Sequence, residues 1–256
     1  MGFKIKEIFI YPIKSFKGIQ IKVATALLTG FEYDRRWMLI DFQNRFISQR
    51  EFPVLSQFNT KLDKGFLTII YNQEEVTFDT ELMINNDISA TVWDDTAIVN
   101  EVNENISDWL SERIGMKCKL VKIKDEFSRL HKSSKLDKSI PMSLADGYPY
   151  LVIGDKSLEF LNSKLAEPVE MNRFRPNIVI ETEFPHQEDE LDTLKFENVE
   201  FQNVKPCGRC IMINTNQDTS EVKKEPLKTL STYRKFENSV HFGSNFICVK
   251  EGKLEF

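Results

Sequence analysis

Residues 57–79 read QFNTKLDKGFLTIIYNQEEVTFD and contain three short segments in which apolar and polar side chains alternate, separated by turn residues. Alternation with a period of two is typical of a β-strand that buries one face. We therefore predict strands at 57–63, 66–71 and 76–79. This stretch decides the fold class. Each alternating segment is too short for a helix, and polar turn residues separate the segments.

The same alternation extends upstream, where it predicts strands at 4–11, 21–28 and 37–41. Residues 104–115 differ, since their apolar side chains recur at helical spacing. We predict a short helix there, with Asn103 or Ser107 as its cap and Gly115 at its end.

The second half of the chain predicts a similar mixture. Residues 122–143 are rich in Lys, Asp and Ser, which favours a mobile linker or a long loop between two units, 1–121 and 122–256. The elements expected after it are strands at 150–153, 177–181, 199–203 and 245–249, and helices beginning near Asp155 and after Glu225. The predicted fold is a β-rich α+β chain with two barrel-like units and a few peripheral helices.

The composition of the chain argues against several classes of function. The 256 residues are 41% hydrophobic and 29% charged, and the net charge is −5, which argues against a nucleic-acid partner. No apolar run approaches the ~20 residues of a membrane helix, so we expect a soluble cytoplasmic protein without a membrane span. Four cysteines are too few for a disulfide framework, and three scattered histidines argue against a conventional zinc or iron site.

The segment 205–210, KPCGRC, is the first candidate for chemistry. A thiol acts as a metal ligand or nucleophile in its thiolate form, which Arg209 beside it favours. Half of a zinc site, a redox dithiol and two buried inert cysteines are alternative interpretations. The dithiol fits less well, because that motif opens a helix whereas residues 211–214 look extended.

Three basic clusters, at 14–15, 34–37 and 173–177, fall at predicted strand ends or turns. Each taken alone is most simply a solvated, salt-bridged turn. Taken together they supply Lys, Ser, Arg and Asn, the donors that hold a phosphate group.

Seven ordered motifs carry a family resemblance. They are 11–18 (YPIKSFKG), 33–38 (YDRRWM), 49–55 (QREFPVL), 145–149 (ADGYP), 173–179 (RFRPNIV), 207–210 (CGRC) and 242–246 (FGSNF). In this order they resemble the MOSC-domain family, in which a MOSC N-terminal β-barrel precedes a MOSC domain, and which includes the mitochondrial amidoxime-reducing component and its bacterial homologues. The segment 224–230, KEPLKTL, is also similar to the family's pattern.

The resemblance implies a molybdenum–molybdopterin cofactor whose metal is held by one protein thiolate, Cys210 by motif position. It also implies cofactor contacts from two groups of residues. By motif match these are Lys14, Ser15, Arg35, Arg175 and Asn177, together with Gly208 and Arg209 beside the thiolate. Asp146 matches an acidic catalytic position. Some relatives have Ser where this chain has Gly208, so only the backbone N–H remains there.

The implied activity is that of a molybdenum-dependent oxidoreductase that reduces small N-oxygenated or N-hydroxylated compounds. No ferredoxin-like cysteine set follows the last motif, so we expect electrons from a separate ferredoxin-like, flavin or haem protein. The alternative is a non-catalytic module that carries molybdenum cofactor or sulfur, with Cys210 as a persulfide carrier. It resembles the domain fused to molybdenum-cofactor sulfurases, whose pyridoxal-phosphate-binding half has no counterpart among these motifs.

Overall fold

The structure is a computed structural model that describes residues 3–124, 129–133 and 135–255. Twenty strands and three α-helices lie in this part of the chain. Strands β1 to β10 are Ile5–Ile10, Ile19–Ile21, Val23–Leu27, Gly30–Phe31, Trp37–Ile40, Asn59–Asp63, Phe66–Tyr71, Glu74–Asp79, Ile88–Val92 and Asp95–Glu101. Strands β11 to β20 are Lys119–Ile123, Arg129–Ser133, Lys138–Met142, Tyr150–Gly154, Ile178–Ile180, Thr193–Lys195, Glu200–Arg209, Lys235–Phe236, Ser239–Lys250 and Gly252–Glu255. Helices α1 to α3 are Glu104–Ile114, Asp155–Asn162 and Leu227–Ser231.

The largest sheet combines strands from both ends of the chain. Its order is β16-β17-β19-β14-β15-β1-β2, and β18 pairs with β19. β14 and β15 run parallel, whereas the other paired strands of this sheet are antiparallel. Ile8 of β1 lies opposite Ile178 of β15. The first strand of the chain is thereby built into a sheet made mostly of residues beyond 150.

Three smaller sheets contain the other strands of the N-terminal half, and one of them also takes in the last strand, β20. A four-stranded sheet has the order β5-β11-β10-β9, the antiparallel meander β6-β7-β8 forms a second sheet, and β20-β3-β4 forms a third. Apolar faces of the meander and of α1 enclose a core that includes the fully buried Trp37 and Phe58. Burial of these large rings is the main stabilising contribution in this half.

The helix α1 has the ends that its sequence predicts. The Asn103 side chain accepts hydrogen bonds from the backbone N–H groups of Asn105 and Ile106, and Gly115 ends the helix at φ 74°. Only a residue without a side chain adopts that left-handed backbone at little cost. Leu110 faces the core and is fully buried.

The predicted linker at 122–143 is wrong for most of its length. β12 and β13 form an antiparallel hairpin in which His131 lies opposite Ile140, while residues 125–128 and 134 lie outside the described residues. The composition concealed this hairpin because the buried positions of β12, Arg129 and Ser133, are polar, so the strand lacks the usual alternation of apolar and polar side chains. The β-rich α+β class with few helices is confirmed. The division at residue 122 stays a prediction.

Candidate functional site

All nine residues that the sequence singled out line one cleft of about 420 Å³. This volume falls within the range of ~300–1,000 Å³ that small-molecule and cofactor sites occupy. The nine are Lys14, Ser15, Arg35, Asp146, Arg175, Asn177, Gly208, Arg209 and Cys210. Their convergence from distant positions is a finding of the structure, while the individual roles expected for them remain predictions.

Loops at strand ends deliver these side chains to the cleft. Lys14 and Ser15 follow β1, Arg35 lies just before β5, and Asp146 follows β13. Arg175 immediately follows a 3-10 turn, Met171–Phe174, and precedes β15. Loops supported by strands place functional groups precisely enough for ligand binding while leaving them accessible.

Three of the cleft residues have a left-handed backbone. Ser15 has φ 73°, Arg35 has φ 51° and Arg175 has φ 56°. Such a conformation is uncommon for residues other than glycine and costs roughly 1–3 kcal/mol, so the surrounding packing must hold it. Strain of this kind gathers at binding sites, where it fixes the direction of side chains.

The buried carboxylate of Asp34 ties two of the basic clusters together. Its side chain accepts hydrogen bonds from the backbone N–H of Tyr11 at 2.7 Å and from Asn177 Nδ2 at 3.2 Å, and it forms an ion pair with Arg35. Arg35 also donates to Asn177 Oδ1 at 3.1 Å. These bonds fix Arg35 and Asn177 as a pair at the wall of the cleft.

The ring of Tyr11 packs against two guanidinium groups. The Cζ atoms of Arg35 and Arg175 lie 4.6 Å and 4.2 Å from its centroid, and the Tyr11 hydroxyl donates to the Pro176 carbonyl at 2.9 Å. Stacking on an aromatic face stabilises a cation that has lost water. Tyr11 therefore holds both arginines in place.

Arg175 is a buried cation without an acidic partner among the described residues. It is 6% exposed, and its Nη1 donates to the Phe16 carbonyl at 2.7 Å. Burial lowers the pKa of Arg175 to about 10, an effect that the neighbouring Arg35 reinforces. A buried charge that lacks a counter-ion is costly, and a bound anion would remove that cost.

Lys14 and Asp146 form an ion pair at the cleft floor. The Lys14 ammonium is buried and also donates to the Leu144 carbonyl at 2.8 Å. Burial lowers the pKa of Lys14 to about 8, against the opposing effect of Asp146. Desolvation raises the pKa of Asp146, but its side chain is 48% exposed, and the charge of Lys14 prevails and holds that pKa well below its usual range. Asp146 thus stays an anion.

Cys210 presents an exposed thiol at the end of β17. It is followed by a 3-10 turn, Ile211–Asn214, so the expectation of an extended segment there is wrong. Ile213 of this turn is buried in the core. A short apolar run such as 211–214 does not distinguish a buried 3-10 turn from a strand. Cys207 lies within the strand itself, and the two thiols are free.

Arg209 separates the two cysteines and is held from both sides. Its Nη2 donates to the Phe174 carbonyl at 2.6 Å and its Nη1 to the sulfur of Cys207 at 3.2 Å. Its Nε is buried and has no hydrogen-bond partner among the described residues. An unsatisfied buried donor at a cleft is a feature expected where a ligand supplies the missing acceptor.

Sequence reasoning missed several residues of this region. Arg50, His131, Tyr148, Lys205 and Asn245 line the cleft, and the Trp93 indole donates to Asp146 at 3.0 Å. Arg50, Tyr148 and Asn245 lie inside the recognised motifs 49–55, 145–149 and 242–246, and Lys205 opens the segment 205–210, so these positions carried a usable signal. His131 and Trp93 carry no local signal, because their strand and turn positions become neighbours of the cleft only on folding.

No helix in the described ranges, 3–124, 129–133 and 135–255, combines the length and apolarity needed to cross a membrane. Within the same ranges, no three or more His, Cys, Asp or Glu side chains form a cluster suited to a metal ion.

Comparison with known proteins places this geometry in context. Residues 2–117 match the family described as the MOSC N-terminal beta barrel domain, and residues 140–256 match the MOSC domain. Mitochondrial amidoxime-reducing component 1 of Mus musculus is 30% identical over 90% of this chain and 71% of its own length. The same component of Homo sapiens is 28% identical over 98% of this chain and 80% of its own length.

A second group of relatives carries a different name. Molybdenum cofactor sulfurase of Oryza sativa subsp. japonica is 29% identical over 98% of this chain and 33% of its own length. The chain therefore spans about a third of the length of the sulfurases that it matches.

Proposed function

Since the chain belongs to the family of proteins that join a MOSC N-terminal barrel to a MOSC domain, we propose that its cleft binds a molybdenum–molybdopterin cofactor and reduces N-oxygenated compounds. The observation that carries this proposal is the position of Arg175, a buried cation without a described acidic partner, in the same cleft as the exposed thiol of Cys210. An anion and a thiol-binding metal are the two features that such a cleft accommodates.

The residues present fit the cofactor. Lys14, Arg35 and Arg175 supply three positive charges for its phosphate group, and the Ser15 hydroxyl and the Asn177 amide add polar contacts. These cations are concentrated in one cleft of a chain whose net charge is −5, so the attraction is local. Arg209 offers the unpaired Nε described above.

Cys210 is the residue we assign to the metal. A thiolate is the ligand that soft metals prefer, and the exposure of Cys210 leaves its sulfur accessible from the cleft. The other ligands would come from the dithiolene of the cofactor, which when bound supplies two-electron oxygen-atom transfer. The chain itself contributes placement and electrostatics.

Asp146 is the proposed acid–base residue. Its carboxylate accepts hydrogen bonds from Lys14 and Trp93 and exposes about half of its surface to the cleft. In that position its carboxylate can accept a hydrogen bond from the nitrogen of an amidoxime or hydroxylamine and orient it, while the neighbouring Lys14 Nζ, with its pKa lowered to about 8, can supply a proton. Overall, the substrate N–O bond breaks and its oxygen leaves as water, with two electrons and two protons consumed.

The electrons come, in this proposal, from a separate ferredoxin-like, flavin or haem protein. The cytoplasm is the compartment we propose, because Cys210 binds a metal only while it remains a reduced thiol.

Replacement of Cys210 tests the proposal. The Cys210→Ala variant should fold but lose molybdenum and lose benzamidoxime reduction with reduced methyl viologen as donor. Cys207→Ser is the matched control, since it removes a thiol three residues away but keeps a hydrogen-bond acceptor for Arg209 Nη1, and it should retain both. Molybdenum content is measured by elemental analysis and pterin by fluorescence after oxidation. Wild-type protein that binds neither, when produced in a molybdenum-replete host, would contradict the proposal.

The exposure of Cys210 also favours a second candidate, a sulfur-carrier module. An accessible thiol can hold a persulfide for transfer to another protein. Metal-free protein that carries cyanide-releasable sulfur on Cys210 would support the carrier, whereas bound molybdenum with turnover supports the reductase.

A further inference from the structure

A group of residues at the cleft is not used by the proposed cofactor contacts. We call it the rim and define it as Phe46, Arg50, Trp93, Tyr148 and Lys205. Four of these line the cleft, and Trp93 contacts it through its hydrogen bond to Asp146. The rim combines aromatic faces with two cations.

Arg50 is held in place by an aromatic ring. Its guanidinium Cζ lies 4.0 Å from the centroid of the Trp93 ring, which in turn lies 5.0 Å from the ring of Phe46. Its Nε is buried without a hydrogen-bond partner, and no ion pair with Arg50 occurs in the described part of the chain. Arg50 is therefore a positioned cation that forms no ion pair with a described carboxylate.

Lys205, from the second half of the chain, is likewise a cation that lies beside an aromatic ring. Its ammonium lies 5.3 Å from the centroid of the Tyr148 ring, and no described carboxylate forms an ion pair with it. Tyr148 is fixed by its hydroxyl, 3.1 Å from Ser133 Oγ. A second cation is thus held beside an aromatic face.

Asp146 lies between the rim and the proposed cofactor contacts. Trp93 donates to it from the rim, and Lys14 pairs with it from the cleft floor. The charge of Arg50 also acts on Asp146, but the ion pair of Asp146 is with Lys14, so neither Arg50 nor Lys205 forms an ion pair with a described carboxylate. Cations that line a cleft without an ion-pair partner favour an anionic ligand.

We propose that the rim is a substrate subsite that selects planar N-oxygenated compounds bearing a carboxylate, with Arg50 and Lys205 as its anion-binding residues. The aromatic rings accept the flat body of such a compound, and the carboxylate replaces the missing counter-ion. This inference rests on the proposed function, since it names the substrate class of the same site.

The test compares a neutral substrate with the same compound carrying an added carboxylate. Benzamidoxime and 4-carboxybenzamidoxime are reduced by the cofactor-loaded protein with reduced methyl viologen as donor. The kcat/KM of the carboxylated compound should exceed that of the neutral one by about tenfold, the effect of one charge-assisted contact in a partly exposed site. In Arg50→Met this ratio should fall toward one.

Arg45→Met is the matched control, because Arg45 is exposed and pairs with Asp41 outside the cleft. It should keep the wild-type ratio. A wild-type ratio of one or less overturns the inference and leaves the proposed function standing, whereas reduction of neither compound overturns the proposed function and the inference with it.

Two further readouts do not depend on turnover. Calorimetry should show that benzoate binds more tightly than benzamide to the wild-type protein and that Arg50→Met removes the difference. The other anion that the Arg50 guanidinium would bind is a second phosphate group on the cofactor. Loss of bound pterin from Arg50→Met would assign Arg50 to the cofactor and overturn the substrate subsite.

Discussion

The side chains of Gln49 and Gln217 hydrogen-bond to each other in both directions, at 3.2 Å and 3.1 Å, although 168 positions separate them. Both are buried. Gln49 Nε2 also donates to the Ser15 carbonyl at 2.6 Å, and Gln217 Nε2 donates to the Thr215 carbonyl at 3.2 Å. The amide pair thereby joins the loop of Ser15 to the segment that follows Cys210.

Replacement of either glutamine should destabilise the protein, because it loosens the contact between the loop of Ser15 and the segment that follows Cys210. Gln217→Leu leaves the buried Gln49 amide short of a partner, which costs about 1–3 kcal/mol of unfolding free energy. Urea unfolding measures this loss. Gln20→Leu, at an exposed position, is the control and should change stability little.

A double-mutant cycle decides whether the two amides act together. The Gln49→Leu and Gln217→Leu double variant should be less destabilised than the sum of the single variants, because both partners of the bond are then removed. Strict additivity would show that the pair is not coupled.

Arg175→Met should weaken cofactor retention without weakening the cofactor-free fold. Burial of the cation depresses its pKa to about 10, so its charge opposes folding at every pH below that value, and removing it relieves a cost. We expect the melting temperature of the cofactor-free variant to be equal to or above that of the wild type. Sulfate should raise the melting temperature of the wild type more than that of the variant. The opposite ranking would remove Arg175 from the anion site.

Lys14 makes anion binding depend on pH. Its pKa is about 8, so stabilisation by sulfate should be present below pH 8 and fade as the pH rises through this value. Asp146 raises the pKa of Lys14, and Asp146→Asn should therefore move the midpoint to lower pH. The melting temperature with and without sulfate, measured from pH 6 to pH 10, gives both midpoints. An unchanged midpoint in the variant would contradict the coupling.

Two titrating groups near α2 have opposite effects on stability. Burial raises the pKa of Glu188 to about 7, although the Ser157 hydroxyl lies 2.8 Å from both of its carboxylate oxygens. Burial and then the charge of Arg234 lower the pKa of His186 to about 4. Both ring nitrogens of His186 lack a described hydrogen-bond partner, and its ring contacts Phe160.

Each of these two groups makes the free energy of unfolding depend on pH, and replacing one of them should reveal its contribution. Folded Glu188 keeps its proton between pH 4.5 and 7, where the unfolded chain releases it, so its contribution to stability falls as the pH rises. Folded His186 stays neutral between pH 4 and 6.5, where the unfolded chain binds a proton, so its contribution rises with pH.

In the wild type these slopes oppose each other between pH 4.5 and 6.5. Relative to it, Glu188→Gln should become more stable as the pH rises across this range, and His186→Phe should become less stable, each by at most about 1.4 kcal/mol per pH unit. Unfolding free energies at pH 4.5, 5.5 and 6.5 check this. Parallel profiles for the three proteins would show that neither group titrates as described.

The sequence predicted those parts of the structure that local chemistry determines. Asn103 and Gly115 specify the ends of α1 by capping, and the alternation at 66–71 predicts β7 with its bounds. β10 was missed because the hydrophilic Asn100 and Glu101 are buried in it, paired with the neighbouring sheet and side chains. Burial by tertiary partners overrides the local pattern.

In the candidate site, too, local motifs were predictable from the sequence, whereas contacts between distant segments were not. Cys210 and the basic clusters were found from motifs, yet spacing alone did not show that Lys14 and Asp146 meet. That contact joins loops 132 residues apart, and only the pairing of strands from both halves of the chain brings them together. Trp93 lies outside every recognised motif, so no residue pattern pointed to it, whereas Lys205 opens the segment 205–210 but received no role from that pattern.

The pairing of β1 with β15 and β19 with β17 has a consequence for biosynthesis. The cleft takes residues from Lys14 to Asn245, so its walls cannot close until residue 245 has left the ribosome. Contacts of such long sequence separation form late and slowly. Any prosthetic group must therefore enter after the whole of this segment has been synthesised.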